Sequence, residues 1–336
     1  MRDMIRNRLV TLLALLLPCL AMGARPVPVI FDTDMGNDVD DAVALAILHA
    51  LESRGEARIL AVTLTKDNAE AAPYVDLMNT FYGRGGIPIG VVKDGKTPEP
   101  AKMLHAPVTA RDENGALLYA RRVTSGSELP DATSVLRKAL AAAEDGSVVI
   151  VQVGFSTNLA RLLDSPADTI SPFGGRELAA RKVRLLSAMA GEFPTGKPEY
   201  NVRIDIPAAR KVFSEWPSPI VASGFEIGLS MKLPASAVER DMMVWTKHHP
   251  VADAYRAYQK MPYDRPTWDP TATIYGVRPD YGYFGLSAPG RILVHDDGRT
   301  TFEAAPGGKH RYLTVDELQK ARTLEAMVQL ATQPAR

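Results

Sequence analysis

The chain reads as α/β, a mostly parallel doubly wound sheet with helices on both faces, and three observations carry that reading. Six short apolar runs rich in β-branched residues recur between Val27 and Ala222. Most are separated by segments with helical spacing. The runs are nearly continuous in apolar residues rather than alternating, as strands covered on both faces are, and their alternation with helices is that of βαβ units.

The first run is Val27 to Phe31, followed by Val39, Val43, Ala46, Ile47 and Leu51 at helical spacing. Further strands are expected at Ile59 to Leu64, Ile87 to Val92, Val148 to Val153, Val183 to Met189 and Ile220 to Ala222, with a helix over Val135 to Ala143. Beyond Ala222 the pattern loosens. Helical spacing returns around Ala252 to Tyr258, a Pro- and Tyr-rich stretch runs from Met261 to Tyr283, and Asp297-Gly298 predicts a hairpin turn. A final helix is expected from Thr314, with Glu317 completing a capping box, to about Leu330. No internal repeat or low-complexity linker interrupts residues 25–336, so they are read as one domain.

Hydrophobic residues make up 46% of the 336, enough for a full core and too many for a disordered chain. Lys and Arg number 39 and Asp and Glu 39, so no broad basic field is present to hold a nucleic-acid backbone. A small-molecule partner is expected instead. Residues 1–24 have the layout of a cleavable secretory signal: Arg2, Arg6 and Arg8, an apolar run from Leu9 to Leu17, then small Ala21, Gly23 and Ala24. That run is too short to span a bilayer, and no later run approaches spanning length. Export to the periplasm or the medium is expected, with no membrane association after cleavage. Cys19, the single cysteine, lies inside the segment, so any metal bound by the mature chain must be held by oxygen or imidazole.

The most informative stretch is Asp32-Thr33-Asp34-Met35-Gly36-Asn37-Asp38-Val39-Asp40-Asp41-Ala42, where an apolar strand runs into five aspartates ahead of a helix. In an open parallel sheet, ligands bind at the carboxyl ends of the strands, which is where this cluster falls. Five carboxylates within ten residues repel one another, and no Lys or Arg lies between them. One or two can cap the helix at its positive end. The whole set calls for a divalent cation, and oxygen ligands without cysteine favour a hard ion, calcium or magnesium.

Asp32-Thr33-Asp34 with Gly36 and then Asp40-Asp41-Ala42 resembles the N-terminal signature of the inosine/uridine-preferring nucleoside hydrolase family, with two extra residues within Met35 to Val39. Three further segments resemble the family's landmarks in order: Gly154-Phe155-Ser156-Thr157-Asn158; Met189-Ala190-Gly191 with Glu199-Tyr200-Asn201; and Trp268-Asp269. The resemblance implies a nucleoside hydrolase-like fold, a bound Ca2+ and, commonly, a homo-oligomer. It implies Asp34 as metal ligand and water-activating base, Asp41, Asp269 and the Val153 carbonyl as further ligands, and Asp40 as a contact to ribose hydroxyls. Met189, Glu199 and Asn201 are implied as sugar contacts, with Asn68 as another and Lys66 as an alternative occupant of that place. Asp38 falls in the longer spacing and receives no role. Where many members carry a histidine before the late aspartate, this chain has Trp268, as in the purine-preferring subgroup, where it stacks on the base. The leaving base is protonated either by solvent, its basicity raised by stacking on Trp268, or by His248, His249 or Tyr263.

The implied reaction is hydrolysis of the N-glycosidic bond of a ribonucleoside to ribose and free base, through an oxocarbenium-like transition state. Two other readings stand beside it. A magnesium-dependent phosphohydrolase of the haloacid dehalogenase type would use Asp32 as nucleophile, and an exported binding protein would use the same calcium pocket to capture nucleosides or pentoses without cutting them.

Overall fold

The computed structural model describes residues 25–193 and 196–335, so the expected signal segment with Cys19 lies outside the described residues. The first half alternates strands and helices: β1 (Val27–Thr33), α1 (Asp40–Ser53), β2 (Ala57–Lys66), α2 (Ala71–Phe81), β3 (Ile89–Lys96), α3 (Lys102–Thr109), α4 (Ala132–Ala142) and β4 (Val148–Gln152). There follow α5 (Thr157–Asp164), α6 (Gly175–Lys182), β5 (Val183–Met189), α7 (Tyr200–Ile204), α8 (Ile206–Glu215), β6 (Ile220–Ser223) and α9 (Phe225–Leu229). The last third holds β7 (Lys232–Leu233), α10 (Pro250–Tyr258), β8 (Arg265–Pro266), α11 (Trp268–Val277), β9 (Gly285–Leu286), β10 (Gly290–Val294), β11 (Thr300–Ala304), β12 (His310–Thr314) and α12 (Glu317–Ala331).

Ten strands form one sheet in the order β11-β10-β12-β6-β5-β4-β1-β2-β3, with β9 on β12. Every pairing from β12 to β3 is parallel, and β9, β10 and β11 add an antiparallel edge. The chain moves outward from β1 through β2 to β3, then returns to lay β4 on the other side of β1. The gap between the carboxyl ends of β1 and β4 is therefore the topological switch point, the place where such sheets open a crevice.

Successive residues of β1 feed opposite layers, because strand side chains alternate between the faces of the sheet. Val29 and Phe31 belong to the core packed with α1, α2, α10 and α11, and Ile30 to the core packed with α4, α5, α6 and α8. Helix α1 is buried from Asp40 to Leu51, and it packs on both α11 and α12. A helix enclosed in this way is apolar on all its faces, as Ala42 to Leu48 are.

All six expected strands are present, and β10 and β11 form the hairpin across Asp297-Gly298, with Gly298 at φ 83°. The final helix starts later than expected. Pairing with Gly285 of β9 keeps Thr314 in β12, and Asp316 caps α12 with Gln319 completing the capping box. The box has the expected spacing, displaced by two residues along the chain. No helix among the described residues is long and apolar enough to cross a membrane.

Candidate active site

A pocket of about 330 Å³ opens at the switch point, lined by Asp34, Asn37, Asp38, Asp40, Asp41, Val153, Met189, Glu199, Tyr200, Asn201, Phe225, Trp268 and Asp269. Local sequence explains how these side chains converge. After β1, Gly36 takes φ 113°, a conformation that an L side chain resists, and the chain turns into α1. Asp40 and Asp41 then fall in the first turn of α1, where the helix dipole favours negative charge. Across the gap, the backbone of Gly154 lies against the end of β1: a Cβ there would sit 2.5 Å from the Asp34 nitrogen. Only glycine lets the ends of β1 and β4 approach so closely.

The acidic residues are held by particular partners. Asp41 Oδ1 accepts a short hydrogen bond from the Thr33 hydroxyl, and Asp40 Oδ2 accepts one from the backbone nitrogen of Asp269 at 3.0 Å. Asp40 thus caps the first turn of α11 as well as facing the pocket. Asp34 Oδ2 accepts from Asn37 Nδ2 at 2.8 Å. Burial pushes the Asp34 carboxyl up to about 6. Burial first, and neighbouring negative charge after it, raises Asp40, Asp41 and Asp269 above the usual carboxylate range.

Carboxylate oxygens of Asp40, Asp41 and Asp269 all lie within 4.8 Å of one another. Two oxygens on opposite sides of a calcium ion stand about 4.8 Å apart, so this spacing fits one hard cation. Asp41 Oδ2 is buried with no hydrogen-bond partner, a costly state that a cation would relieve. The donor set therefore fits a metal. Asp34 and the Val153 carbonyl line the same pocket beside the triplet.

On the opposite wall, Asn201 Nδ2 donates to the Val153 carbonyl at 2.8 Å and to the Met189 carbonyl at 3.2 Å. Glu199 caps α7, accepting from the backbone nitrogens of Asn201, Val202 and Gly191, and burial pushes its carboxyl up to about 7. Trp268 stacks on Phe225 with ring centroids 5.2 Å apart, donates its indole N–H to the Phe225 carbonyl at 2.9 Å, and carries the Arg265 guanidinium 5.2 Å from its ring centroid.

Of the residues singled out in the sequence, Asp34, Asp40, Asp41, Val153, Met189, Glu199, Asn201, Trp268 and Asp269 are brought together here. Asn68 is not: its amide donates to the Pro98 and Glu99 carbonyls and its Oδ1 accepts from Glu70, tying the chain after β2 to the chain after β3. Lys66 reaches nearer, to Asn37. None of the three candidate proton donors lines the pocket. His248 is exposed, His249 is buried as the cap of α10 with its ring pushed down to about 3 by burial, and Tyr263 donates to the Tyr255 carbonyl. Asp38, unassigned from sequence, pairs with Arg265.

Four residues at the pocket or its edge escaped the sequence reading: Asn37, Tyr200, Phe225 and Arg265. Asn37 sat inside the aspartate cluster and Tyr200 between two named residues. Phe225 follows the carboxyl end of β6, a position that marks ligand contacts in parallel sheets. Arg265 carried no local signal.

A pocket lined by both carboxylates and aromatic rings suits a small molecule with a hydroxyl-rich part and a flat part, the class of ligand a glycoside of a heterocycle presents. The family model for the inosine-uridine preferring nucleoside hydrolases matches residues 29–333, and the chain belongs to that family: it is a hydrolase acting on N-glycosyl bonds. The family binds nucleoside substrates and a metal ion.

Several solved structures share the fold. A plant nucleoside hydrolase superposes with a TM-score of 0.67 at 20% identity, covering 92% of this chain and 100% of that one. A purine-preferring ribonucleoside hydrolase from Gardnerella vaginalis gives 0.67 at 18%, covering 91% and 99%. An inosine-uridine preferring nucleoside hydrolase from Bacillus anthracis gives 0.66 at 19%, covering 91% and 99%. No curated protein matches the chain.

Proposed function

We propose that this chain is an exported, calcium-dependent hydrolase of ribonucleosides, with a preference for purines, and that Asp34 is its base. The observation that carries the reading is the convergence of Asp34 with the Asp40, Asp41 and Asp269 cluster in one pocket that also holds Trp268 and Phe225. Asp34, Asp41, Asp269 and the Val153 carbonyl would hold calcium, which when bound acidifies water and binds ribose hydroxyls.

The remaining chemistry belongs to the side chains. Asp34, with its pKa raised to about 6, ionises below neutral pH and accepts the proton of the attacking water through the oxygen that Asn37 leaves free. Asp40, Met189, Glu199 and Asn201 form the wall that meets the ribose, where the carboxylates accept from its hydroxyls. The fixed negative charge of the pocket stabilises the positive charge that develops on the ring as the bond to the base breaks. Trp268 and Phe225 give the base an aromatic wall. Tyr200, which lines the pocket, is the hydrogen-bond donor proposed for the leaving base.

The mature chain from Arg25 onward is assayed for base release from inosine, adenosine, guanosine, uridine and cytidine, with and without a calcium chelator. The expected result is purine release that chelation abolishes and calcium restores. Release from pyrimidine nucleosides alone would remove the purine preference and the role of Trp268. Binding of nucleosides with no release from any would overturn hydrolysis in favour of capture.

A further inference from the structure

Asp34 is braced by two residues that are not carboxylates. Its Oδ2 accepts from Asn37 Nδ2 at 2.8 Å, and Asn37 Oδ1 in turn accepts from the Lys66 ammonium at 2.8 Å. An amide has one accepting end and one donating end, whereas an ammonium only donates. Lys66 therefore dictates which end of Asn37 faces Asp34. The ammonium is itself anchored on the Thr97 carbonyl at 2.6 Å, and the Thr97 hydroxyl accepts a second bond from Asn37 Nδ2 at 3.2 Å.

The anchor is built at a cost. Thr97, just after β3, and Asp94, near the end of that strand, neither a glycine, stand at φ 53° and φ 50°. Non-glycine residues persist in that region only when their surroundings hold them there, and such strain gathers at functional sites. Lys66 is also 3% exposed, and burial lowers its pKa, so an ammonium is kept where water stabilises it poorly.

We propose that Lys66 and Asn37 are positioning residues for Asp34: together they occupy Oδ2 and fix the plane of the carboxyl group, so that Oδ1 faces the attacking water. The inference rests on the reading of Asp34 as the base. Lys66 does not line the pocket, and the Asn37 amide is already engaged by Asp34, Thr97 and Lys66, so their effect falls on turnover rather than on binding.

The test uses the full mature chain with calcium, carrying Asn37→Ala, Lys66→Met, Lys66→Arg or Asp34→Ala. Turnover of inosine is measured together with calcium affinity by titration calorimetry in the absence of substrate. Misplacing a reacting group by a fraction of an ångström to 1 Å lowers kcat on the order of 10- to 100-fold, and that loss is expected for Asn37→Ala and Lys66→Met. KM is expected to stay within about threefold of wild type, the calcium Kd to weaken by much less than kcat falls because three of the four proposed ligands are untouched, and Lys66→Arg to recover most of the lost turnover, since it restores the cationic donor. Turnover within about twofold of wild type in both variants would overturn the proposal, as would calcium affinity falling in step with kcat. An inactive Asp34→Ala beside a fully active Asn37→Ala would remove only the brace. An active Asp34→Ala would remove the reading on which the brace depends.

Discussion

Asp32 and Asp34 stand two residues apart at the end of one strand and meet opposite surroundings. Asp32 is completely buried beneath the pocket, where its Oδ1 accepts from Thr63 at 2.6 Å and from Asn158 at 2.8 Å. Burial pushes its carboxyl up to about 7, and it meets no substrate-sized space, so it cannot be the nucleophile of a phosphohydrolase. Asp34 lines the pocket, and Asn37 binds only one of its two oxygens. Tyr200 offers a prediction at the same scale. Tyr200→Phe removes a donor to the leaving base, and turnover of inosine should fall about 100-fold, the low end for a lost general acid. A nitrophenyl riboside, whose leaving group needs no proton, should be cut at the wild-type rate. Equal losses on both substrates would contradict a leaving-group role. Much of this residue-level picture was legible in the sequence because carboxylates without counter-charge announce a cation. The role of Asp38 was not, because its partner Arg265 lies 227 residues away. Asn68 was misplaced for a related reason: a motif gives an amide's position along the chain but not the carbonyls it turns toward.

At the scale of elements, the site exists because β1 and β4 are neighbours although β2 and β3 lie between them in sequence. Periodicity and composition revealed each strand, and the parallel class followed from βαβ alternation, but neither gave the order in which the strands lie. The glycine after β4 closes the gap. A methyl group at Gly154 would collide with the Asp34 nitrogen and the Thr65 hydroxyl, so Gly154→Ala should cost about 1–3 kcal/mol of stability, the usual range for overpacking. Urea unfolding measures this, and a variant as stable as wild type would show that the two strand ends need not touch. The Asp38–Arg265 pair works between elements in the same sense, joining the turn before α1 to β8 just ahead of α11, so that Trp268 and Asp269 are carried on a tethered helix start. The starting point of α12 was missed because local capping chemistry competes with strand pairing. Pairing with β9 won at Thr314, and the next suitable residue, Asp316, took the cap.

For the molecule as a whole, a formal net charge of zero conceals a concentration of negative charge at one point. Asp32 and Glu199 titrate near 7 in the fold because burial disfavours their charged forms, whereas in the unfolded chain such groups titrate at about 4. The folded state therefore holds protons that the unfolded state has lost, and metal-free stability must fall as pH rises through about 7. Buried His49 and His249, both pushed down to about 3, act in the opposite direction only below their unfolded value of about 6.5. The melting temperature of the chelated protein should thus fall between about pH 6.5 and 8, and calcium should offset that fall because it binds ionised carboxylates. A melting temperature that rises over this interval without metal would contradict the account of the buried acids. The central claim, that this pocket cuts a glycosidic bond with Asp34 as its base, is tested most directly by Asp34→Asn in the calcium-loaded protein, with inosine cleavage and inosine binding measured side by side. The account predicts cleavage reduced by at least about 100-fold with binding retained, as for a lost general base. An Asp34→Asn protein that still releases hypoxanthine at the wild-type rate would contradict it.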